Sequence, residues 1–308
     1  LNATALCQEA DQPQMVLLHI NAADYTAMVD HLRDCWPTAT QDQLTDQAGQ
    51  LVYTRFLTAA AQAQMARTSE ALYRATAAPT WRHGLRKAER IVIDGQNVLY
   101  GIARSQALLY RLDLTSGQFD QFTLVQQAPH DLAITPDGLL LVAAADKKLV
   151  WYDAGGAPVR MLPPTDQVGA LVALAVTHQG EIYAADPGNY QIAHFSATGE
   201  LLRLLTGGGK LGQPAMLALS PDEKALWSLD AVAGRLYQLA PATDQVVAAM
   251  ASPFSHPDWV GRLAVTTQGT LLTLAPEQGQ LYELTTAGRV VHSYGGRLRP
   301  LDFAATHD

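Results

Sequence analysis

One short apolar phrase recurs along the 308-residue chain at intervals of 42 to 46 residues. Its clearest copy covers residues 132–138 and ends on a Thr-Pro-Asp-Gly turn, and related copies cover 174–180, 217–223 and 263–269. A degenerate first copy covers 90–95. A repeat at a fixed period constrains the fold strongly, because every copy must form the same unit and pack against its neighbours.

Each phrase is followed by three more short apolar runs with Gly-bearing turns between them. In the third copy these runs cover 182–184, 192–195 and 200–204. Four short strands in a repeat of about 40 to 45 residues are typical of the blades of a β-propeller. The sequence therefore predicts a mainly β chain, with a propeller of four-stranded blades over residues 89–308.

The repeat also predicts how many blades the chain holds. Five copies reach about residue 296, and the tail at 301–308 begins the phrase again, which indicates the start of a sixth blade. Either the apolar run at 15–20 helps to close the ring, or the polypeptide continues beyond Asp308. We expect continuation, because one short strand cannot supply three missing ones.

The first 88 residues have a different texture and are predicted to form a separate helical region. From about 22 to 78 they are rich in Ala, Gln, Leu and Met. Asn21 is a candidate cap for a helix that ends near Pro37, and Thr40 begins a second helix that reaches about Ala77. The resulting helical hairpin either docks on a partner protein or packs against its own propeller, and we expect the packing role.

The third repeat resembles a known family. Residues 180–192 and 199–203 are similar to the NHL repeat, and the likeness is closest over about 171–222. Other copies keep only part of the Asp-x-x-Asn element that ends at Asn189. The resemblance implies a six-bladed propeller. Because similar propellers include binding scaffolds, lactonases and lyases, it implies no single activity.

Charge and motifs exclude several classes of function. The chain has a net charge of −8, and residues 89–308 hold 14 basic and 21 acidic side chains, which opposes a nucleic-acid-binding surface. No apolar run is long enough to span a membrane. The sequence contains no phosphate-binding or HExxH motif, and we expect neither a cofactor nor a metal.

Chemistry in a propeller is expected where loops from different blades meet around the channel. If the protein is an enzyme, such as a lyase or a lactonase-type hydrolase acting on a small molecule, its active site would use His130, His256 and Asp258 near the channel mouth. The alternative interpretation is that these two histidines are exposed loop residues without a catalytic role. A lactonase-like metal site would use oxygen ligands such as Asp186, Asn189 and Asp230, but these positions match loop turns rather than the channel wall.

We therefore predict a non-catalytic propeller scaffold that mediates protein–protein interaction. The predicted binding residues are two loop-tip aromatics and two basic side chains, namely Tyr190, Trp259, Lys147 and Arg299. The alternative is the propeller enzyme.

The N-terminal end of the sequence suggests a location. The chain opens on Leu1 rather than Met, has few lysines, and carries both of its cysteines, Cys7 and Cys35, in the N-terminal third. These features favour an extracytoplasmic protein, periplasmic or secreted, with a cytoplasmic fragment as the alternative. The two cysteines either form one disulfide or remain two reduced thiols.

Overall fold

A computed structural model defines the architecture. It describes residues 88–114, 116–126, 128–162, 165–230, 232–251, 262–275, 280–295 and 300–305, together with the strand backbones at 15–20, 52–56 and 73–76. These residues form six four-stranded antiparallel sheets, each of them one blade. The predicted β-propeller of four-stranded blades is confirmed.

The strands follow the repeat, from the inner strand of each blade to its outer strand. Blade 1 contains β4 (Arg90–Ile93), β5 (Val98–Ala103), β6 (Leu108–Asp113) and β7 (Phe119–Thr123). Blade 2 contains β8 (Pro129–Ile134), β9 (Leu140–Ala144), β10 (Leu149–Tyr152) and β11 (Pro158–Leu162). Blade 3 contains β12 (Ala173–Val176), β13 (Ile182–Asp186), β14 (Gln191–Phe195) and β15 (Leu201–Leu205). Blade 4 contains β16 (Pro214–Leu219), β17 (Leu226–Asp230), β18 (Arg235–Ala240) and β19 (Gln245–Ala251). Blade 5 contains β20 (Leu263–Val265), β21 (Leu271–Ala275), β22 (Gln280–Leu284) and β23 (Val290–Gly295).

The sixth blade is assembled from both ends of the chain. Its inner strand is β24 (Pro300–Ala305), followed by β1 (Met15–Ile20), β2 (Val52–Phe56) and β3 (Tyr73–Thr76). β1 lies between β24 and β2 and pairs antiparallel with both. The start of a sixth blade after residue 300 is confirmed. The expectation that its other three strands lie beyond Asp308 is wrong, because the N-terminal region supplies all three.

This blade also corrects the predicted helical hairpin. The second predicted helix, from Thr40 to about Ala77, is wrong over Val52–Phe56 and Tyr73–Thr76, where the chain forms strands. β2 forms backbone hydrogen bonds with the edge of β1 that faces away from β24, and β3 pairs with β2. These hydrogen bonds outweigh the helical propensity of this Ala- and Gln-rich segment. The first predicted helix and the cysteines lie outside the described residues. Among the described residues, no helix is long and apolar enough to cross a membrane.

Apolar layers between neighbouring blades form the core. The second and third strands of blade 3 are buried along their whole length because both faces are covered by other blades. The outer strand β19 instead alternates between exposed and half-buried residues. One cluster joins blades 2 and 3 around Trp151, and another joins blades 4 and 5 around Trp227. The ring is therefore a rigid frame for its loops.

The blades also interlock at their outer edge. Gly156, in the third-to-fourth turn of blade 2, has a φ of 78° and lies against Phe122 of blade 1. A Cβ there would come within 2.6 Å of Phe122 Cβ. The same contact recurs one blade on, where a Cβ on Gly199 would lie 2.5 Å from Leu162 Cδ1. A glycine in these turns lets the outer strand of the preceding blade pack closely.

Candidate functional site

Two faces of the ring are distinguished by their loops. We call the mouth face the one formed by the loops that lead into the inner strands together with the second-to-third turns of the blades. The base face is the opposite one, formed by the first-to-second and third-to-fourth turns. Side chains from distant parts of the sequence converge on the mouth face, as in other propellers.

One position at the inner strand is equivalent in all six blades, and in blades 2 to 5 it directly precedes the repeated phrase. These six positions are occupied by Arg90, Asp131, Ala173, Met216, Arg262 and Asp302. Two bases and two acids therefore stand among the six inner-strand positions. The inner strands of adjacent blades contact one another, so these side chains lie around one central channel.

An ion-pair network crosses that channel. Arg262 Nη1 in blade 5 lies 3.0 Å from Asp131 Oδ1 in blade 2, which is the opposite blade in a ring of six. Arg262 Nε also lies 3.7 Å from Asp302 Oδ1 in blade 6. Both carboxylates are buried, with 4% and 0% exposure respectively. The centre of the ring is therefore closed by charged side chains that tie three blades together.

Backbone groups complete this network. The second oxygen of Asp131 accepts a hydrogen bond from the Leu174 amide of blade 3 at 2.8 Å. In the same way Asp302 Oδ2 accepts from the Ile91 amide of blade 1 at 2.7 Å. Each aspartate thus binds the inner strand of the next blade, and each is positioned by charge and by hydrogen bonding.

The network raises the pKa of both Asp302 and Arg262, for different reasons. Burial raises the pKa of Asp302 to about 6, although the nearby Arg262 and Arg90 favour its charged form. Burial alone would lower the pKa of Arg262, but the carboxylates of Asp302 and Asp131 raise it above its ordinary value. Arg262 therefore stays charged while Asp302 titrates close to neutrality.

His130 stands beside this network at the channel mouth. The strand register shifts between Pro129 and Asp131, so His130 occupies a β-bulge that turns its side chain away from the ladder. Arg104, in a short 3₁₀ turn of blade 1, donates through Nη2 to Nδ1 of His130. Arg104 Nε also lies 3.6 Å from Glu89 Oε2.

These contacts define the protonation state of His130. Burial, together with the charges of Arg104 and Arg90, lowers the pKa of His130 to about 4. The ring is therefore neutral at pH 7. A guanidinium only donates, so Nδ1 is the acceptor and the proton of the neutral ring is on Nε2. The one lone pair of the imidazole is already bound.

Two buried aspartates hold the second-to-third turns in place. Asp186 Oδ2 accepts from the Gly169 amide at 2.8 Å, from Asn189 Nδ2 at 2.8 Å and from Gln191 Nε2 at 2.9 Å. The carboxylate thereby joins the loop leading into blade 3 to the turn that carries Tyr190. A Cβ on Gly169 would lie 2.7 Å from Asp186 Oδ1, which explains the close approach of that loop.

Asp230 does the same in blade 4. Its Oδ1 accepts from the amides of Val232 and Ala233 at 2.9 and 2.8 Å, and its Oδ2 accepts from the Gln213 amide at 3.0 Å. Asp186 and Asp230 therefore act as turn clamps. Among the described residues, no group of three His, Cys, Asp or Glu side chains is arranged to hold a metal ion.

The clamped turns present apolar side chains to solvent. Tyr190 is 54% exposed and Val232 is 65% exposed. The hydroxyl of Tyr190 accepts from Gln213 Nε2 at 3.3 Å, and Gln213 is itself anchored on Asp230. Tyr190, Gln213 and Val232 therefore form one continuous surface across blades 3 and 4, which we call the turn surface.

Tyr190 adopts an unfavourable backbone conformation. Its φ is 57°, in the left-handed region that residues other than Gly, Asn and Asp avoid. The turn of blade 4 has Gly234 in this region, with a φ of 61°. In blade 2 the corresponding residue is Lys147, with a φ of 66° and an exposed side chain. Blades 2 and 3 thus present large side chains from a position that favours glycine.

The structure brings together only some of the residues singled out in the sequence. His130 lies at the channel mouth, whereas Tyr190 and Lys147 lie on second-to-third turns of neighbouring blades. Four others lie outside the described residues, namely His256, Asp258, Trp259 and Arg299.

Sequence reasoning missed Arg104, Arg262, Asp302 and Val232 as parts of this face. Arg262 and Asp302 would have been found by aligning the repeats and reading the inner-strand position that varies from blade to blade.

Comparisons with known proteins agree with this architecture. No family model matches the chain, and no curated protein matches it. The nidogen propeller, solved as a nidogen–laminin complex, is similar with a TM-score of 0.70 and 12% identity, over 96% of this chain and 98% of that one.

Two lyases are similar as well. A streptogramin B lyase matches with a TM-score of 0.59 and 11% identity, over 84% of this chain and 81% of that one. Virginiamycin B lyase from Staphylococcus aureus matches with a TM-score of 0.54 and 14% identity, over 67% of this chain and 69% of that one. A catalytically inactive histidine-to-alanine variant of that lyase has been solved with quinupristin. At these identities the likeness concerns the fold: the chain is a six-bladed β-propeller resembling virginiamycin B lyase and the nidogen propeller.

Proposed function

We propose that the propeller is a non-catalytic platform that binds a protein partner through its mouth face. The observation that carries the proposal is Tyr190, an exposed aromatic side chain held rigidly in a strained turn. Aromatic residues fixed before binding lose little conformational entropy on association, and such residues dominate binding energy at many interfaces. Strain of this kind persists only where the surrounding structure imposes it, and it is concentrated at functional positions.

The neighbourhood of Tyr190 supports the same proposal. The turn surface joins Tyr190 to Val232 through Gln213, and the buried carboxylates Asp186 and Asp230 fix the backbone beneath it. It is therefore preorganised, with apolar side chains already directed to solvent. The nidogen propeller, which was solved with laminin, gives a precedent for a propeller of this shape that binds a protein.

The test uses a variant that should lose binding without losing stability. Tyr190→Gly removes the aromatic anchor and relieves the left-handed strain. The free energy of unfolding should therefore stay unchanged or rise by up to about 1 kcal/mol. Quantitative affinity purification from native extract should then lose the partner that wild-type protein retains.

Met161→Ala is the matched control, because Met161 is also 54% exposed but lies on the outer strand of blade 2. It should retain the partner in full. Equal retention by Tyr190→Gly and wild type would contradict the proposal.

A second candidate is a propeller enzyme, either a lyase or a lactonase-type hydrolase, that acts on a small molecule at the channel mouth. It is favoured by the position of His130 beside the channel and by the likeness to two lyases, one of which is inactive in a histidine variant. His256 and Asp258 belong to this reading as well. The protonation state of His130 weakens the enzyme hypothesis. A neutral imidazole with a pKa of about 4, whose lone pair already accepts a hydrogen bond, is a poor general base at pH 7.

The two candidates differ in their response to one substitution. If the propeller is a platform, His130→Ala leaves partner retention unchanged, since His130 is not one of the residues that form the turn surface. If the protein is an enzyme, a screen of cyclic ester and lactone substrates should find turnover in the wild type that His130→Ala abolishes.

We also propose that the blades are NHL-type repeats. The hydrogen bond of 2.8 Å between Asn189 and Asp186 supports this, because it gives the Asp-x-x-Asn element a defined role in the turn. Asn189→Ala should loosen the Tyr190 turn and speed amide exchange there. Unchanged amide exchange in the Asn189→Ala variant would show that the Asp-x-x-Asn element does not stabilise this turn.

A further inference from the structure

The base face of the propeller is strongly acidic. Among the described first-to-second and third-to-fourth turns, eight acidic residues are present: Asp94, Asp137, Asp153, Glu181, Glu200, Asp222, Glu223 and Asp244. The same described turns contain two basic residues, Lys224 and Arg289. This face therefore accounts for much of the negative charge of the chain.

The second-to-third turns on the mouth face have the opposite character. In the described part of these turns, the acidic residue with solvent exposure is Asp146, and Lys148 Nζ neutralises it at 2.7 Å. Lys147 and Arg235 are both exposed, and neither forms an ion pair with another described residue. In the described loops that lead into the inner strands, Asp166 and Lys210 are also exposed, and their charges offset each other. Net positive charge is thus available among the exposed side chains of the described mouth face, although the protein as a whole is negative.

These two cations flank the turn surface. Lys147 occupies the turn of blade 2, next to the blade that carries Tyr190. Arg235 begins β18 three residues after Val232, at the same end of blade 4. Along the second-to-third turns of blades 2, 3 and 4, with the first residue of β18, the order is therefore cation, aromatic, aliphatic, cation.

We propose that the partner of the mouth face is a protein segment in which acidic side chains flank an aromatic or aliphatic residue. Its apolar residue packs on Tyr190 and Val232, while its carboxylates face Lys147 and Arg235. The charge asymmetry also orients the encounter, because an acidic segment is attracted to the mouth face and repelled by the base face. This inference rests on the proposed function and adds the chemistry of the partner.

Nucleic acid is the other polyanion that such cations attract. The described arc offers three exposed cations, Lys147, Lys210 and Arg235, and the exposed carboxylate of Asp166 lies among them. A nucleic-acid site would need a continuous basic stripe to neutralise many phosphates. The observations therefore favour a short acidic protein segment.

The test begins with a random peptide library displayed on phage and selected on the wild-type protein. Enriched peptides should contain Asp or Glu on both sides of an aromatic or aliphatic residue. A synthetic copy of the most enriched peptide is then titrated against variants by fluorescence anisotropy. The double variant Lys147→Glu/Arg235→Glu should bind it about tenfold more weakly at about 50 mM salt, and the difference should shrink at about 500 mM as the charges are screened.

The matched control is Lys224→Glu/Arg289→Glu, which changes the net charge equally but on the base face. It should bind the peptide like the wild type. Enrichment of neutral or basic peptides, or equal weakening by both double variants, overturns the acidic partner. So does a single-stranded oligonucleotide that binds the wild type more tightly than the peptide and loses affinity in the Lys147→Glu/Arg235→Glu variant.

Tyr190→Gly separates this inference from the proposed function. If it abolishes peptide binding while charge reversal has no effect, the platform stands and the acidic partner is wrong. If neither change alters binding of the selected peptide, both proposals fail.

Discussion

At the scale of single residues, the surroundings of His130 decide its chemistry. The sequence shows a histidine at the start of a blade and allows either a general base or an exposed loop residue. The fold adds Arg104 from the preceding blade, whose guanidinium binds Nδ1, and a half-buried position near Arg90. Together these keep the ring neutral, so the residue serves as a hydrogen-bonding element of the channel mouth.

The state of His130 predicts an acid sensitivity. Its pKa is about 4 in the folded protein against an ordinary value of 6.5, so the unfolded chain binds the proton more readily. The stability contributed by the neutral ring is fully present above pH 6.5 and is lost as the pH falls towards 4. His130→Gln should therefore show a smaller loss of unfolding free energy than the wild type between pH 6.5 and pH 4.5, measured by urea denaturation.

Met161→Ala is the control for that measurement, because it changes an exposed side chain without removing a titratable group. It should keep the wild-type acid dependence. Identical curves for His130→Gln and wild type would show that the Arg104 contact does not suppress protonation.

At the scale of elements, the turns explain which parts of the fold could be predicted from sequence. The Thr-x-x-Gly sequence is a tight turn in which the Gly138 amide donates to the Thr135 carbonyl at 2.8 Å, and it marks the ends of the inner strands of blades 2, 3 and 5. Ser220 and Glu223 close the same turn in blade 4. The strands at 52–56 and 73–76 could not be found in this way. The strand at 52–56 pairs with β1, and the strand at 73–76 pairs with 52–56 in turn. The other partner of β1 is β24 at the far end of the chain, and no local pattern in an Ala- and Gln-rich segment shows that pairing.

The candidate site was only partly predictable for a related reason. A search for repeats keeps the positions that recur, whereas Arg262 and Asp302 occupy a position that varies among Arg, Asp, Ala and Met from blade to blade. Tyr190 and Lys147 could be predicted as binding residues because they lie at loop tips. Their left-handed backbone conformation, which presents the side chains, is a property of the folded turn and is not visible in the sequence.

The contact between successive blades at their outer edge leads to a prediction. Gly156→Ala adds a methyl group that collides with Phe122 in addition to straining a positive φ, whereas Gly138→Ala at a similar φ of 81° meets nothing within 4 Å. Gly138→Ala should cost about 1–2 kcal/mol of unfolding free energy, and Gly156→Ala should cost about 1–3 kcal/mol more.

Thermal denaturation of Gly156→Ala combined with Phe122→Ala checks the cause. The extra cost of the alanine at 156 should fall to that seen at 138 once the ring is removed. If the extra cost persists without Phe122, the blades do not interlock at this point.

At the scale of the whole molecule, two devices close the ring. The sixth blade joins β24 to three strands from the N-terminal region, and Arg262 connects blade 5 to carboxylates of blades 2 and 6. The first device is made of backbone hydrogen bonds between the two innermost strands of blade 6, and the second is made of charges at the centre. The ring thereby becomes a rigid support for the turn surface.

Removing the central cation should expose its role. Arg262→Met leaves Asp131 and Asp302 buried without their partner and should lower the unfolding free energy by about 3–5 kcal/mol at pH 7. Asp302 has a raised pKa, so its contribution to stability is greatest below its ordinary pKa and is lost as the pH rises through about 6. The deficit of Arg262→Met should therefore shrink below pH 6.

Met216→Leu, at the equivalent position of blade 4, is the control and should lose less than about 1.5 kcal/mol at any pH. A deficit of Arg262→Met that does not change with pH would mean that Asp302 does not feel the missing charge.

The central claim is that a protein partner binds the mouth face through the turns of blades 2, 3 and 4. Hydrogen–deuterium exchange of the propeller with the partner recovered by wild-type protein tests it most directly. The account predicts protection confined to residues 145–148, 187–190 and 232–235, with unchanged exchange in the outer strands β11 and β19. Protection of the outer strands or the base-face turns, with these three segments unchanged, would contradict it.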